Sequence, residues 1–274
     1  LTSTADTITS LDNTGSAGLT DTTVGALTVN KGTLTATGGT TETLNNAQDG
    51  NTTLSGVTNV DAITNDGNLT SSNSKLGTVT NNNSLTSTAD TITSLDNTGS
   101  AGLTDTTVAT LTNSGTLTAK GGSITTLTNQ DGTAGLTDTA LTNLNVNGGS
   151  VSLSGVANTL SVTGEANVSS GATLNANNTS FSNVSHQGEM NLSGAVHFAG
   201  TIEGAGTINN SGNLTFGSEN IKTFTGAFNQ TDGKTIADSE NFFQGANTIS
   251  GGTLETKGDT IGFTATATGS GSIS

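Results

Sequence analysis

The chain has 274 residues, of which 30% are hydrophobic and 3% aromatic, and its formal net charge at pH 7 is −15. It has no Arg, and its six Lys are isolated from one another, so the clustered cations that bind nucleic-acid phosphates or an anionic membrane are missing. It has no Cys, which excludes disulfides and thiolate metal sites.

So few apolar residues cannot build a compact core of ordinary size, and such chains are often disordered. Against disorder, the charge is spread thinly, and Leu, Val and Ile alternate with Thr and Ser in the manner of β-strands. A solenoid accommodates this composition, because each coil needs only a few inward side chains when its neighbours stack on it.

The first 24 residues return unchanged at residues 85–108. Farther along, the segment 32–36 matches residues 115–119 at an offset of 83 instead of 84, so one residue around Val29 is missing from the second copy. Loss of one residue inside a strand would turn every later side chain to the other face. We therefore expect the missing residue to fall in a turn.

A shorter motif, Asn-x-Gly-x-Leu-Thr, recurs within the duplicated region and beyond it. It begins at Asn30, Asn65, Asn113 and Asn210, and a variant with Asn83 in the Gly place begins at Asn81. Gly and Asn both accept a left-handed backbone, which predicts a positive φ at that place. The Leu two residues later is predicted to point inward.

The spacing of these leucines gives the coil length. The intervals correspond to one or two turns of roughly 16–22 residues, which predicts about fifteen coils in a single continuous solenoid over residues 1–274. A left-handed hexapeptide helix keeps a constant coil length, so the variation favours a right-handed parallel β-helix. The fold class is thus predicted as all-β, a right-handed parallel β-solenoid.

The composition changes midway along the chain. Residues 1–150 are rich in Thr, Leu and Asn and contain no Phe, whereas residues 151–274 have longer coils and all eight Phe. Aromatic rings in register on adjacent coils stack favourably, so most of these Phe are predicted to be interior rather than a ligand platform.

The Asn-x-Gly-x-Leu-Thr coils, the Ser-Gly-Gly and Ser-Gly-Asn turns at residues 250–252 and 211–213, and the Cys-free polar composition resemble passenger regions of autotransporter and filamentous-haemagglutinin-like bacterial surface adhesins. The resemblance covers the whole sequence. It implies a secreted β-helical stalk at the bacterial cell surface, acting in adhesion, self-aggregation or filament formation and in biofilms.

On this basis we expect a non-enzymatic structural and adhesive segment of an extracellular fibre. The expected partners are other copies of the chain, end to end or side by side, and glycans or proteins of host or neighbouring cells. No nucleic acid, membrane insertion, cofactor or metal is expected. Residue 1 is Leu, so secretion and anchoring signals are expected outside this sequence.

Several sites are weighed against that expectation. Glu189, Glu203 and Glu219 lie in successive coils and suggest a glycan-cleaving carboxylate pair, but the chain has no Trp, Tyr or Arg to support one. His186 and His197 form a possible metal pair with Glu189, although exposed turn histidines are the favoured interpretation.

The Asp residues of the repeated Leu-Thr-Asp-Thr, Asp21, Asp105 and Asp138, suggest a calcium-binding column, but turn residues that bond their own backbone explain them better. Thr-x-Thr tracts raise ice binding, which is disfavoured because a flat lattice-matching array requires a constant coil length. A polymerising surface-layer or filament subunit remains the alternative within the structural class.

Overall fold

Alternation of β-branched or aliphatic residues with small polar ones along most of the chain produces short strands with one face buried. The computed structural model describes residues 1–156, 160–217, 222–237, 241–256, 262–266 and 271–273. Within these ranges every regular element is a β-strand, and parallel strands stack as a β-solenoid of about 14 turns. The predicted all-β solenoid is confirmed.

The strands of the first half of the chain are β1 Thr2–Thr4, β2 Thr7–Asn13, β3 Ser16–Thr20, β4 Thr23–Thr37, β5 Thr40–Ser55, β6 Thr58–Asn65, β7 Asn68–Ser72, β8 Lys75–Asn81, β9 Ser84–Thr88, β10 Thr91–Asn97, β11 Ser100–Thr104, β12 Thr107–Asn113, β13 Thr116–Lys120, β14 Ser123–Asn129 and β15 Thr133–Thr137.

The strands of the second half are β16 Ala140–Val146, β17 Ser150–Ser154, β18 Leu160–Val168, β19 Thr173–His186, β20 Glu189–Phe198, β21 Ile202–Gly204, β22 Thr207–Asn210, β23 Asn213–Phe216, β24 Lys222–Phe224, β25 Ala227–Gln230, β26 Lys234–Ala237, β27 Asn241–Ile249, β28 Thr253–Thr256, β29 Gly262–Thr266 and β30 Ser272–Ile273.

The chain divides into two compact units, Leu1–Thr125 and Thr126–Ser274. In the first unit the predicted leucines line the interior. Leu69 pairs with Leu85 on the next turn, and Ala101 and Leu117 follow on the two turns after it. Leu34, Leu69 and Leu117 are each 1% exposed. The inward orientation predicted for the motif leucines is therefore confirmed.

One corner of the turn is built from residues with a left-handed backbone. In the first unit they stand at positions 5, 21, 38, 56, 73, 89, 105 and 121, so a turn takes 16 to 18 residues. Asp21 and Asp105 have φ near +49°, and Asp138 in the second unit has +51°. These Asp residues are therefore turn residues, as predicted, but Asp138 bonds the backbone N–H of Val156 and not its own local backbone. Ala5 and Ala89 occupy equivalent corners five turns apart.

The left-handed backbone predicted for the Gly place of the motif is wrong at most positions. Among those glycines only Gly32 has a positive φ, and the φ of Asn83 is not positive either. Close stacking explains the others. A Cβ built on Gly67 or Gly115 would collide with backbone carbonyl oxygens of the preceding turn.

A buried column of amides runs along the first unit. The side-chain Nδ2 of each Asn donates to the Oδ1 of the Asn one turn on, at 2.7 Å, from Asn46 through Asn65, Asn81 and Asn97 to Asn113. Each donor Asn also bonds a backbone carbonyl of that next turn. Full pairing is what permits this many amides in the interior.

The amide column, hereafter the Asn ladder, has a break at its start. Val29 takes the rung between Asn13 and Asn46 and is fully buried. It stands where the second copy of the duplication has Asn113, and the extra residue of the first copy follows it. We expected a turn there, whereas β4 continues as one strand whose register with β5 shifts between Val29 and Lys31.

In the second unit aromatic residues fill the interior, as predicted. The ring of Phe198 lies between those of Phe181 and Phe216, with centroids 5.5 and 5.6 Å apart. Phe224 and Phe228 are also buried. The side chains of Phe242, Phe243 and Phe263 lie outside the described part of the molecule.

Candidate functional site

The carboxylates considered for glycan cleavage are not brought together. Glu189 begins β20 and is paired with Thr173 and Thr207 of the neighbouring turns, whereas Glu203 lies in β21 opposite Ser185. They therefore belong to different strand columns. Glu219 lies outside the described residues.

The two histidines also lie apart, and the expectation of exposed turn histidines is wrong for both. His186 ends β19 with its side chain in the interior, where it is 0% exposed. His197 is in β20 between the buried Val196 and Phe198, so its side chain points to the opposite side, outward.

The environment of His186 fixes its protonation state. Nε2 lies 3.1 Å from the carbonyl oxygen of Thr207 and donates to it, because a carbonyl only accepts. No described group hydrogen-bonds Nδ1, and the ring stacks on Phe224 at 6.0 Å. Burial lowers the pKa of His186 to about 4, and the bond to Thr207 opposes this shift in part.

Stability should therefore fall in mildly acidic solution. The unfolded chain binds a proton at its ordinary pKa of 6.5 and the folded chain only near 4. As the pH drops from 6.5 to 4, the native state should thus lose about 3 kcal/mol relative to the unfolded state. Denaturant titrations at pH 7 and pH 4.5 measure this loss. The variant His186→Leu should lack this component, and an unchanged pH dependence in it would contradict the assignment.

The three Asp residues considered for calcium do not form a continuous column. Between Asp21 and Asp105 the same corner holds Gly38, Gly56, Asn73 and Ala89. Asp138 uses its carboxylate to accept a hydrogen bond from the backbone N–H of Val156 at 2.8 Å.

Across the described residues no three His, Asp or Glu side chains are grouped as metal ligands. Nor does that part of the chain include a long apolar helix able to cross a membrane.

One lateral surface of the first unit is regular in register and almost uncharged. We call it the Thr face. It consists of β3, residues 33–37 of β4, residues 51–55 of β5, and strands β7, β9, β11 and β13, each paired in parallel with the next. Its outward side chains form three columns of Thr, Ser and Asn with a few Gly.

The first column is Ser16, Thr33, Asn51, Asn68, Ser84, Ser100 and Thr116, the middle one Gly18, Thr35, Thr53, Thr70, Thr86, Gly102 and Thr118, and the third Thr20, Thr37, Ser55, Ser72, Thr88, Thr104 and Lys120. All of them are exposed or half-buried, and Lys120 carries the one charge among them. The adjoining face, by contrast, carries Asp12, Glu42, Asp61, Lys75 and Asp96.

The second unit presents a half-buried ladder of amides on its outer surface. Asn191 donates to Asn175, Asn209 to Asn191 and Asn229 to Asn209, at 2.9 to 3.0 Å. Beside it a groove of about 210 Å³ is lined by Asn175, Asn191, Asn209 and Asn210 together with Leu192, Ser193, Ser211 and Thr231. Sequence reasoning missed this ladder, and its one signal is Asn recurring at turn spacing in β19, β20, β22 and β25.

No protein-family model matches this chain, and no curated protein or solved structure matches it either.

Proposed function

We propose that this chain is a non-enzymatic structural and adhesive segment of a bacterial cell-surface or secreted fibre. The outer amide ladder of the second unit supports the adhesive part. Asn191 and Asn229 each use one N–H in the ladder, and an amide has a second N–H and spare oxygen lone pairs. Such groups match hydroxyls that both donate and accept.

The partner that fits this surface best is a neutral, hydroxyl-rich glycan. The net charge of −15 disfavours anionic polymers at long range. The residues that line the groove are all uncharged, and all but Leu192 are polar, so a glycan would bind there by hydrogen bonds along the ladder and over several turns. Repeated weak contacts of this kind suit attachment of a fibre to a surface.

A glycan array with the purified full chain tests the proposal. We expect binding to neutral glycans, lost in the double variant Asn191→Ala/Asn229→Ala and kept in Asn82→Ala, an exposed Asn of the first unit. A chain that binds no glycan, or that releases shortened products from one, would contradict the proposal. Electron microscopy adds a separate readout, since regular fibres of the purified chain would favour the filament-subunit alternative.

A further inference from the structure

The Thr face keeps a strict two-dimensional repeat although the turns differ in length. Residues of one strand pair with the equivalent residues of the next along the whole face, without a register shift. The additional residues of the longer turns lie outside the Thr face. One shift lies between Val29 and Lys31, before the face begins in that turn, and another between Thr40 and Thr41 on the adjoining face.

This observation removes the premise on which ice binding was disfavoured. Variable coil length excludes a lattice-matching array only if the variation interrupts the array, and here it falls outside it. Rows on the Thr face are spaced by roughly 4.8 Å and columns by about 6.6 Å, so the face extends over roughly 29 by 13 Å.

The chemistry of the face suits a water lattice better than other occupants. A Thr side chain offers a hydroxyl and a methyl group whose χ1 is restricted by β-branching, so little conformational freedom is lost on contact with a rigid surface. Charged side chains, which hold their own hydration shells, are confined to Lys120 at one end. The face has no cation cluster for an anionic polymer.

We propose that the Thr face of the first unit binds the surface of ice crystals, with its Thr columns as the matching groups. This function is separate from glycan adhesion by the second unit. The middle column of the Thr face carries the contact with ice, because four of its Thr lie on successive strands at the centre of the face, namely Thr35, Thr53, Thr70 and Thr86.

Freezing-point hysteresis and the shape of ice crystals grown with the full chain test this proposal. We expect hysteresis and faceted crystals from the unmodified chain. Thr70→Tyr places a ring above the centre of the face and should abolish both. The control Thr78→Tyr changes an exposed Thr of β8 on the adjoining face and should leave both unchanged.

A variant that is expected to increase hysteresis separates loss of ice binding from simple unfolding of the chain. Gly18 and Gly102 interrupt the middle column, and a Cβ added at Gly102 meets its nearest atom at 3.9 Å, while one added at Gly18 meets none within 4 Å. The double variant Gly18→Thr/Gly102→Thr should therefore fold normally and increase hysteresis. The proposal would be overturned if the unmodified chain showed no hysteresis or if both Tyr variants lost it equally. It would also be overturned if sedimentation showed a dimer of the unmodified chain that Thr70→Tyr, but not Thr78→Tyr, dissociates, because a second copy would then cover the Thr face.

Discussion

Replacing Asn81 by alanine is expected to lower the free energy of unfolding by about 3 to 5 kcal/mol. Asn81 is the middle rung of the Asn ladder, so its loss leaves one N–H of the Asn65 amide without its acceptor and the Oδ1 of Asn97 without its donor in the interior. The carbonyl of Ser100 loses a donor as well. Asn65, Asn81 and Asn97 are each 0% exposed, and each unsatisfied buried group costs about 1–3 kcal/mol.

The neighbouring residue provides the control. Asn82 is exposed and bonds the carboxylate of Asp66 at 2.7 Å on the surface, so Asn82→Ala should change the unfolding free energy by no more than about 0.5 kcal/mol. Denaturant titration measures both variants. Amide hydrogen exchange should accelerate in β8, β10 and β6 of the Asn81 variant, because contacts in a solenoid are between nearest neighbours. Equal stability of the two variants would show that the ladder is incidental.

Phe198→Ala is expected to cost the second unit about 3–5 kcal/mol. The ring is fully buried between two other rings, and the turns above and below are held apart by their own backbone hydrogen bonds, so they cannot close the cavity. Thermal or denaturant unfolding with hydrogen exchange of β19, β20 and β23 measures the loss.

Phe198→Leu separates ring stacking from the filling of space. It keeps most of the apolar volume and removes two ring contacts, each worth about 0.5–1.5 kcal/mol. We therefore expect an intermediate stability. If the leucine variant were as unstable as the alanine variant, shape rather than cavity volume would govern this part of the core.

The features that depend on periodicity were predictable from the sequence. Leu69, Leu85 and Leu117 point inward because the motif fixes their place in the turn, and Phe181 and Phe198 meet because their coils are in register. The Asp residues of the Leu-Thr-Asp-Thr repeats take the left-handed corner, as their short polar side chains allow. In each case one local rule acts on many turns in the same way.

The features that depend on contacts between turns were not predictable. Asn30 and Asn81 both begin the recurring motif, yet Asn30 is exposed and Asn81 is buried, because the stacking of coils places Asn81 over Asn65. Gly115 is required by a carbonyl of the preceding turn, although its own backbone would accept other residues. His186 is interior because its strand alternates that way, against the polarity of its side chain.

The repeated segments at residues 1–24 and 85–108 occupy equivalent corners five turns apart, since Ala5 and Ala89 stand at the same point of the turn. Unequal recombination between the two copies in the gene would therefore delete or insert whole turns of the solenoid. The strands on either side of the junction would stay in register. The number of turns can thus change in discrete steps from one generation to the next, while each remaining turn keeps its contacts with the turns beside it.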